Sequence, residues 1–173
     1  MRFSTNTTSL TSTQPRTSTG TLFYRGTTQN TDIVELFIDG ASGRRIVPDR
    51  DSTIYMVVTA VRRLNTGSTR VRLFHAVFSL DSSGALVSTD LDGTTVGVQN
   101  TAYFTTNTDS DTAAPNSSGL VVQSMTANGV LFDFVPASGN TPSYVRCRVS
   151  GANLFTNYWG IRVNYVEVSN VMN

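Results

Sequence analysis

Hydrophobic and polar residues alternate with a period of two along most of this 173-residue chain. Such alternation predicts β-strands, because successive side chains of a strand point to opposite faces. No window repeats apolar residues at i, i+3, i+4 and i+7, which is the pattern of an amphipathic helix. The predicted strands lie at residues 33–39, 53–64, 69–81, 120–126, 130–136, 144–151 and 158–169, with weaker ones at 44–47, 85–88, 94–98 and 101–105.

Short turns separate these strands, and most of them contain glycine beside asparagine, aspartate or serine. The pair Asn128-Gly129 is typical of the two-residue turn of a β-hairpin. Other turns are predicted at residues 39–40, 65–67, 83–84, 92–93 and 138–140. Many short strands with no helix to connect parallel neighbours predict an all-β protein. We therefore expect an antiparallel β-sandwich that is jelly-roll-like.

The first 21 residues differ from the rest, since most of them are threonine, serine, asparagine, glutamine or glycine. This segment cannot bury enough apolar surface by itself to offset the entropy of ordering. Residues 1–21 are therefore predicted to form an extended N-terminal arm that becomes ordered against a neighbouring subunit. The candidate contacts of the arm are Phe3, Leu10 and Arg16, and residues 22–173 are assigned to the β-sandwich domain.

Composition limits the partners of the chain. Only 14% of the residues are charged and the net charge is +1, so no diffuse attraction to nucleic acid or to an anionic membrane is expected. No run of 18 apolar residues and no secretory leader are found. Every basic residue is arginine, whose guanidinium suits subunit interfaces better than the lysine ammonium does, although genomic base composition is an alternative explanation.

Candidate catalytic residues are few. The single histidine, His75, is predicted to be a strand residue with a satisfied hydrogen bond, and the single cysteine, Cys147, to be a core thiol. The carboxylates of Glu35, Asp133 and Glu167 are candidates for glycoside cleavage, but alternation predicts that Asp133 and Glu167 point outward. No serine lies in a G-x-S-x-G elbow. We therefore predict that the protein is not an enzyme.

Candidate metal and cofactor sites are also lacking in the sequence. The acidic turns at residues 90–93 and 109–111 do not have the oxygen spacing of a dedicated calcium loop, so they are predicted to be solvated. The glycines occur singly between strands and form no phosphate-binding loop. No series of aromatic and basic residues suits single-stranded bases. The prediction is no cofactor, no metal and no nucleic acid.

The stretch "ELFIDGASGRRIVP" at residues 35–48 combines a strand, a turn and an arginine pair. The turn at Asp39-Gly40 places the preceding strand next to residues 44–47. A second arginine pair follows in the next strand, and both pairs are candidates to bridge strand ends or subunits. The alternative is a charged edge that deters stray strand pairing. These candidate interface residues are Arg44, Arg45, Arg62 and Arg63, with Glu35, Asp39 or Asp49 as partners.

The order of these motifs resembles a β-rich domain common at the ends of tailed-bacteriophage virion proteins. The resemblance begins with "ELFIDG", Arg45, Pro48 and the Arg62-Arg63 pair. In the second half, "GVLFDFVPASG" resembles the hairpin of that family, and residues 146–151 and 159–168 resemble its closing strands. The resemblance covers about residues 32–169, and the chain departs from it between about residues 98 and 119, where a longer polar loop occurs.

This resemblance implies a jelly-roll-like domain on a phage particle, usually trimeric, in tail fibres, tail spikes or capsid decorations. The expected function is that of a homotrimeric capsid decoration or cement protein, which binds the major capsid protein on the virion surface after synthesis in the host cytoplasm. The short chain, the absence of coiled-coil heptads and the polar arm favour this function over a fibre.

Two other functions remain open. The alternative is a tail-fibre or receptor-binding protein that engages host surface glycans through Tyr103, Tyr158, Trp159 and the polar loop at residues 107–118. A glycan depolymerase is disfavoured, since the sequence holds no catalytic constellation.

Overall fold

The computed structural model of the chain is an all-β fold with antiparallel pairing, as predicted. It describes residues 16–87, 89–91, 94–96, 103–104, 121–122 and 129–170. These residues contain no helix, and hence no helix that could cross a membrane. The strands are β1 Arg16–Gln29, β2 Ile33–Leu36, β3 Ser52–Leu64, β4 Thr69–Leu80, β5 Leu86–Val87, β6 Thr89–Leu91, β7 Thr94–Val96, β8 Tyr103–Phe104, β9 Val121–Val122, β10 Val130–Val135, β11 Tyr144–Ser150 and β12 Thr156–Ser169.

Two main sheets form the sandwich. The large sheet has the order β1-β12-β3-β4-β5, and the small sheet has the order β10-β11-β2. The pairs β6-β7 and β8-β9 form two further two-stranded sheets. Predicted turns at residues 39–40, 65–67, 83–84 and 138–140 each contain a glycine with positive φ, which only glycine adopts at little cost.

The strands form because their apolar residues alternate. In β3, the side chains of Ile54, Met56, Val58 and Ala60 are buried, while the intervening residues point away from the core. Alternate positions of β12 and of the first half of β4 are buried in the same way, whereas residues 76–80 of β4 are buried on both faces. Antiparallel partners share a face, so the register of β12-β3-β4 collects the residues buried by alternation into one inner surface.

Aromatic side chains join the two sheets. Phe132 of β10 is fully buried, and its ring centroid lies 5.7 Å from that of Tyr24 and 6.1 Å from that of Phe74, both in the large sheet. A second contact joins Phe78 to Phe134, with centroids 6.4 Å apart. The Tyr24–Phe132 contact is edge-on and the other two pairs are tilted, and such ring pairs add attraction to the burial of apolar area.

Cys147 lies in this core, as predicted. Its side chain is buried among the hydrophobic residues of the sandwich and opposite Phe132 in the β10-β11 register. Burial raises the pKa of the thiol well above its ordinary value, because the thiolate would lose its hydration. Cys147 is therefore a neutral packing residue.

The N-terminal boundary of the sandwich differs from the prediction. Strand β1 begins at Arg16, so residues 16–21, which were expected to belong to the arm, pair along their whole length with β12. Threonine at alternate positions suits a strand, and backbone pairing with β12 compensates for the scarcity of apolar side chains. Arg16 is thus a residue of the sheet. Phe3 and Leu10 lie outside the described residues, as does Asn128 of the predicted hairpin turn.

The prediction that Glu167 points outward is wrong. In β12, Val166 and Val168 are the exposed residues, while Glu167 shares the inner face. Its carboxylate accepts hydrogen bonds from the backbone N–H of Asp49 (2.7 Å) and the hydroxyl of Ser52 (3.1 Å). At this end of the sandwich, the loop that precedes β3 is therefore fastened to β12 by hydrogen bonds to Glu167 and not by apolar packing.

Replacement of Phe132 by alanine tests the inter-sheet contact. Phe132→Ala should lower the free energy of unfolding by about 3–5 kcal/mol, since it removes both ring contacts and leaves a cavity. The matched control Phe23→Ala, at an exposed position of β1, should change it by at most about 0.5 kcal/mol. Chemical unfolding measures both; equal losses would contradict the assignment of Phe132 to the core.

The burial of Cys147 predicts that its thiol reacts slowly with thiol reagents. In the folded protein at pH 8, a thiol reagent should label Cys147 only as fast as the protein unfolds, whereas in denaturant labelling should be immediate. Cys147→Ala should cost about 1 kcal/mol of stability and no function. Labelling of the native protein at the rate of a free thiol would refute the burial.

Candidate functional site

An arginine and a glutamate from the opening motif form a fixed pair on the outer face of the small sheet. Arg45 donates from Nε to Oε1 of Glu35 at 2.6 Å and from Nη2 to Oε2 at 3.2 Å, which is bidentate geometry. Its guanidinium also lies over the rings of Phe37 (5.0 Å) and Tyr144 (4.5 Å). The hydrogen bonds to Glu35 raise the pKa of Arg45. This pair, predicted from sequence, forms within one subunit.

A second ionic group adjoins this pair. Asp133 accepts hydrogen bonds from Nη2 of Arg146 at 2.6 Å and from Nε of Arg148 at 3.2 Å. As predicted, the side chain of Asp133 lies on the outer face of β10, away from the core residues Phe132 and Phe134. It is nevertheless only 6% exposed. The two arginines cover it, because they occupy the same face of the adjacent strand β11.

Sequence reasoning missed this role of Arg146 and Arg148. The alternation in "YVRCRVSG" does place both arginines on the face opposite Cys147. What the alternation does not give is the register of β10 against β11, which sets Asp133 directly opposite Arg146. That register depends on pairing between distant segments.

The other predicted pair is weaker. Nη1 of Arg44 lies 3.0 Å from Oδ2 of Asp39, and both side chains are substantially exposed. An exposed ion pair of this kind contributes little to stability. The backbone N–H of Asp39 donates to the carbonyl of Phe23 at 2.7 Å, so the turn itself is fastened to β1.

Arg62 and Arg63 lie in the large sheet, away from the Arg45–Glu35 pair of the small sheet. They point to opposite faces of β3. Arg62 is buried on the inner face, 6.0 Å from the ring of Trp159. Arg63 is exposed on the outer face, opposite Tyr158 in the register. Of these two arginines, Arg63 is therefore the one placed to meet a partner on the outside of this sheet.

A small cavity lies at the same end of the inner face. Its lining consists of Ala60, Arg62, Arg70, Arg72 and Trp159. The indole N–H of Trp159 donates to the hydroxyl of Thr28 at 3.1 Å. This buried ring cannot stack on a sugar, so Trp159 does not serve the glycan-binding alternative.

Tyr158, by contrast, is 50% exposed and remains a glycan candidate. The side chain of Tyr103 and the loop at residues 107–118 lie outside the described part of the structure.

The outer face of the large sheet is largely apolar. Nine of its outward-facing apolar and aromatic side chains are between 37% and 55% exposed. No carboxylate occupies an outward position in the described strands of this sheet. The nine exposed residues are Phe23, Tyr55, Val61, Val71, Leu73, Val87, Tyr158, Val166 and Val168. A soluble monomer rarely leaves so many together, so this surface is a candidate interface.

His75 lies on this outer face and has a hydrogen-bond partner, as predicted. Its Nδ1 is hydrogen-bonded to the hydroxyl of Tyr55, and the two rings are 5.6 Å apart. Within the described residues, no group of three or more histidine, cysteine, aspartate or glutamate side chains could hold a metal ion.

Comparisons with known proteins give no match to a family model, to a curated protein or to a solved structure. The arguments for function therefore come from the two outer faces of the sandwich. The outer face of the small sheet carries ion pairs that are complete within one chain. The outer face of the large sheet carries exposed apolar residues.

Replacement of Asp133 tests the ionic group of the small sheet. Asp133→Asn should lower the free energy of unfolding by about 1–3 kcal/mol, because two partly buried guanidinium groups lose their counter-charge. The control Asp39→Asn removes the exposed pair with Arg44 and should cost at most about 0.5 kcal/mol. If both variants unfold at the same denaturant concentration, the ionic group has no structural role.

Proposed function

We propose that the chain is a non-enzymatic structural protein of a tailed-bacteriophage virion, a homotrimeric capsid decoration protein that binds and stabilises the capsid shell. The observation that carries the proposal is the exposed apolar outer face of the large sheet. A rigid sandwich with such a face suits a protein that works by attachment to a larger assembly.

The order of motifs supports the same function. Glu35 and Arg45, two residues on which the resemblance to phage virion domains rests, form a bidentate ion pair. With Asp133 and its two arginines, this pair ties β2, β10, β11 and the segment after β2 together. A decoration protein benefits from such rigidity, since binding then costs little ordering entropy.

Trimer formation is supported by the edge of the large sheet. Strand β1 is an edge strand of 14 residues with no proline, and its two charged residues, Arg16 and Arg25, leave an uncharged stretch between them. An isolated bridge between Tyr24 and Ile38 covers one part of this edge. The portion from Arg16 to Thr21 precedes that bridge, so its outward backbone groups suit pairing with another subunit. A trimer would match the local three-fold positions of an icosahedral shell.

One observation favours the alternative of a receptor-binding fibre. Tyr158 is half-exposed beside Arg63, and a tyrosine ring with an adjacent guanidinium is a surface on which sugars stack. In that case, the protein would act in adsorption to the host and not in the stability of the shell.

Particles from which the gene has been deleted distinguish the two functions. A decoration protein binds only the assembled shell and so raises the stability of that state. The deletion particles should assemble, release their DNA at a lower temperature and adsorb normally, and supply of the gene on a plasmid should restore heat resistance. Particles that adsorb poorly while keeping their heat resistance would refute the proposal and favour the fibre.

A further inference from the structure

The large sheet has an uneven balance of charge. Its five strands contain seven arginines, two each in β1, β3 and β4 and one in β12. They contain one carboxylate, that of Glu167, which lies on the inner face at the other end of the sheet from Arg63. Within its described strands, the charge on the outer face of this sheet is therefore wholly positive.

Three of these arginines lie on the outer face among apolar residues. In antiparallel strands, directly paired residues share a face, so the register gives rows that run across the sheet. Three successive outward rows each contain one arginine, and together they are called the three-row patch. The rows across β1, β12, β3 and β4 are Phe23, Arg162, Thr59 and Leu73; then Arg25, Gly160, Val61 and Val71; then Thr27, Tyr158, Arg63 and Thr69.

The patch is compact and accessible. Rows on one face are two residues apart, about 7 Å, and strands are about 4.8 Å apart, so the patch measures roughly 14 Å in each direction. The side chains of Arg25, Arg63 and Arg162 are exposed, and none of the three forms an ion pair within the described residues. Phe23, Val71 and Leu73 are each more than half exposed.

A second copy of the chain does not suit this patch. Packed face to face, two patches would bring six guanidinium groups together without a carboxylate. The outer face of the small sheet offers no better match, because Glu35 and Asp133 are already bound to arginines of their own chain. An interface of either kind would bury unpaired positive charge.

A polyanion such as nucleic acid is also a poor match. Val61, Val71 and Leu73 offer it neither hydrogen bonds nor a flat ring. The two exposed rings of the patch, Phe23 and Tyr158, lie two rows, about 14 Å, apart, which does not suit the stacking of successive bases. The apolar side chains gain most from contact with another apolar surface, at about 25 cal/mol per Å² removed from water. The arginines then require carboxylates around that surface, with which they form bidentate hydrogen bonds.

We propose that the three-row patch docks on a protein surface that is apolar and bears carboxylates between its apolar residues. This inference rests on the proposed function, under which that surface belongs to the capsid shell subunit. The apolar residues supply most of the affinity, while the three arginines fix the orientation and accelerate association at low salt.

The test uses phage particles stripped of this protein and purified chain added back, with bound protein measured after sedimentation. Arg63→Glu/Arg162→Glu and Leu73→Asp should each bind about tenfold more weakly or worse, and wild-type affinity should fall as salt rises. The controls Arg50→Glu and Val47→Asp change an exposed arginine and an exposed valine outside the patch, and should bind within about twofold of wild type. Arg25 is left unchanged, since its side chain contacts the Gly40 turn.

The outcomes distinguish this inference from failure of the proposed function and from two other occupants of the patch, a second copy of the chain and nucleic acid. If wild type fails to bind stripped particles, both this inference and the proposed function are wrong. If wild type binds and the patch variants bind as the controls do, only this inference is wrong. Light scattering that shows a smaller assembly for the patch variants would assign the patch to a second copy. Retention of wild type, but not Arg63→Glu/Arg162→Glu, by phage DNA with unchanged particle binding would assign it to nucleic acid.

The folded state of each variant is checked by circular dichroism and thermal unfolding. The side chains of Arg63 and Arg162 are exposed, so the double variant should fold and test the inference even if Leu73→Asp does not.

Discussion

The closure of the two sheets over Phe132 is the contact on which the rest of the structure depends. The ring of Phe132 reaches both Tyr24 and Phe74, so one side chain of the small sheet fixes the position of two strands of the large sheet. Because side chains of a strand alternate, this contact also decides which residues face outward. The choice of core thus determines the chemistry of both outer faces.

The two outer faces differ in whether their interactions are complete. On the small sheet, Glu35 and Asp133 are bound by arginines of the same chain, and the rings of Phe37 and Tyr144 flank Arg45. That surface is satisfied within one subunit. On the outer face of the large sheet, the described strands present exposed apolar residues and arginines without an outward-facing carboxylate. The second surface has the composition of an interface that lacks its partner, which is why function is assigned to it.

Much of the fold follows from the sequence, since alternation and turn residues are local signals. The long strands β3, β4 and β12, the turns at Gly40 and Gly67, and the burial of Cys147 were all predictable. The Arg45–Glu35 pair was predictable for the same reason, because ten residues and one turn separate its members.

What the sequence did not reveal depends on distant pairing. Residues 16–21 lack the apolar content of a strand, and only their pairing with β12, far along the chain, orders them. Asp133 meets Arg146 and Arg148 through the register of β10 and β11. Glu167 lies on the inner face because the alternation of β12 that buries Trp159, Ile161 and Val163 continues to the end of the strand, and its hydrogen-bond partner, the loop at Asp49, lies far away along the chain. In each case the partner lies more than ten residues away, so the local sequence does not reveal the contact.

The central claim, that the outer face of the large sheet is the attachment surface of a virion protein, is tested most directly by an electron cryomicroscopy reconstruction of the purified particle. The account predicts density for the sandwich on the shell, with the rows of β1, β12, β3 and β4 turned toward the capsid subunit and carboxylates of that subunit next to Arg63 and Arg162. A reconstruction in which this face is open to solvent while the small sheet contacts the shell, or in which the chain is found only at the tail, would contradict it.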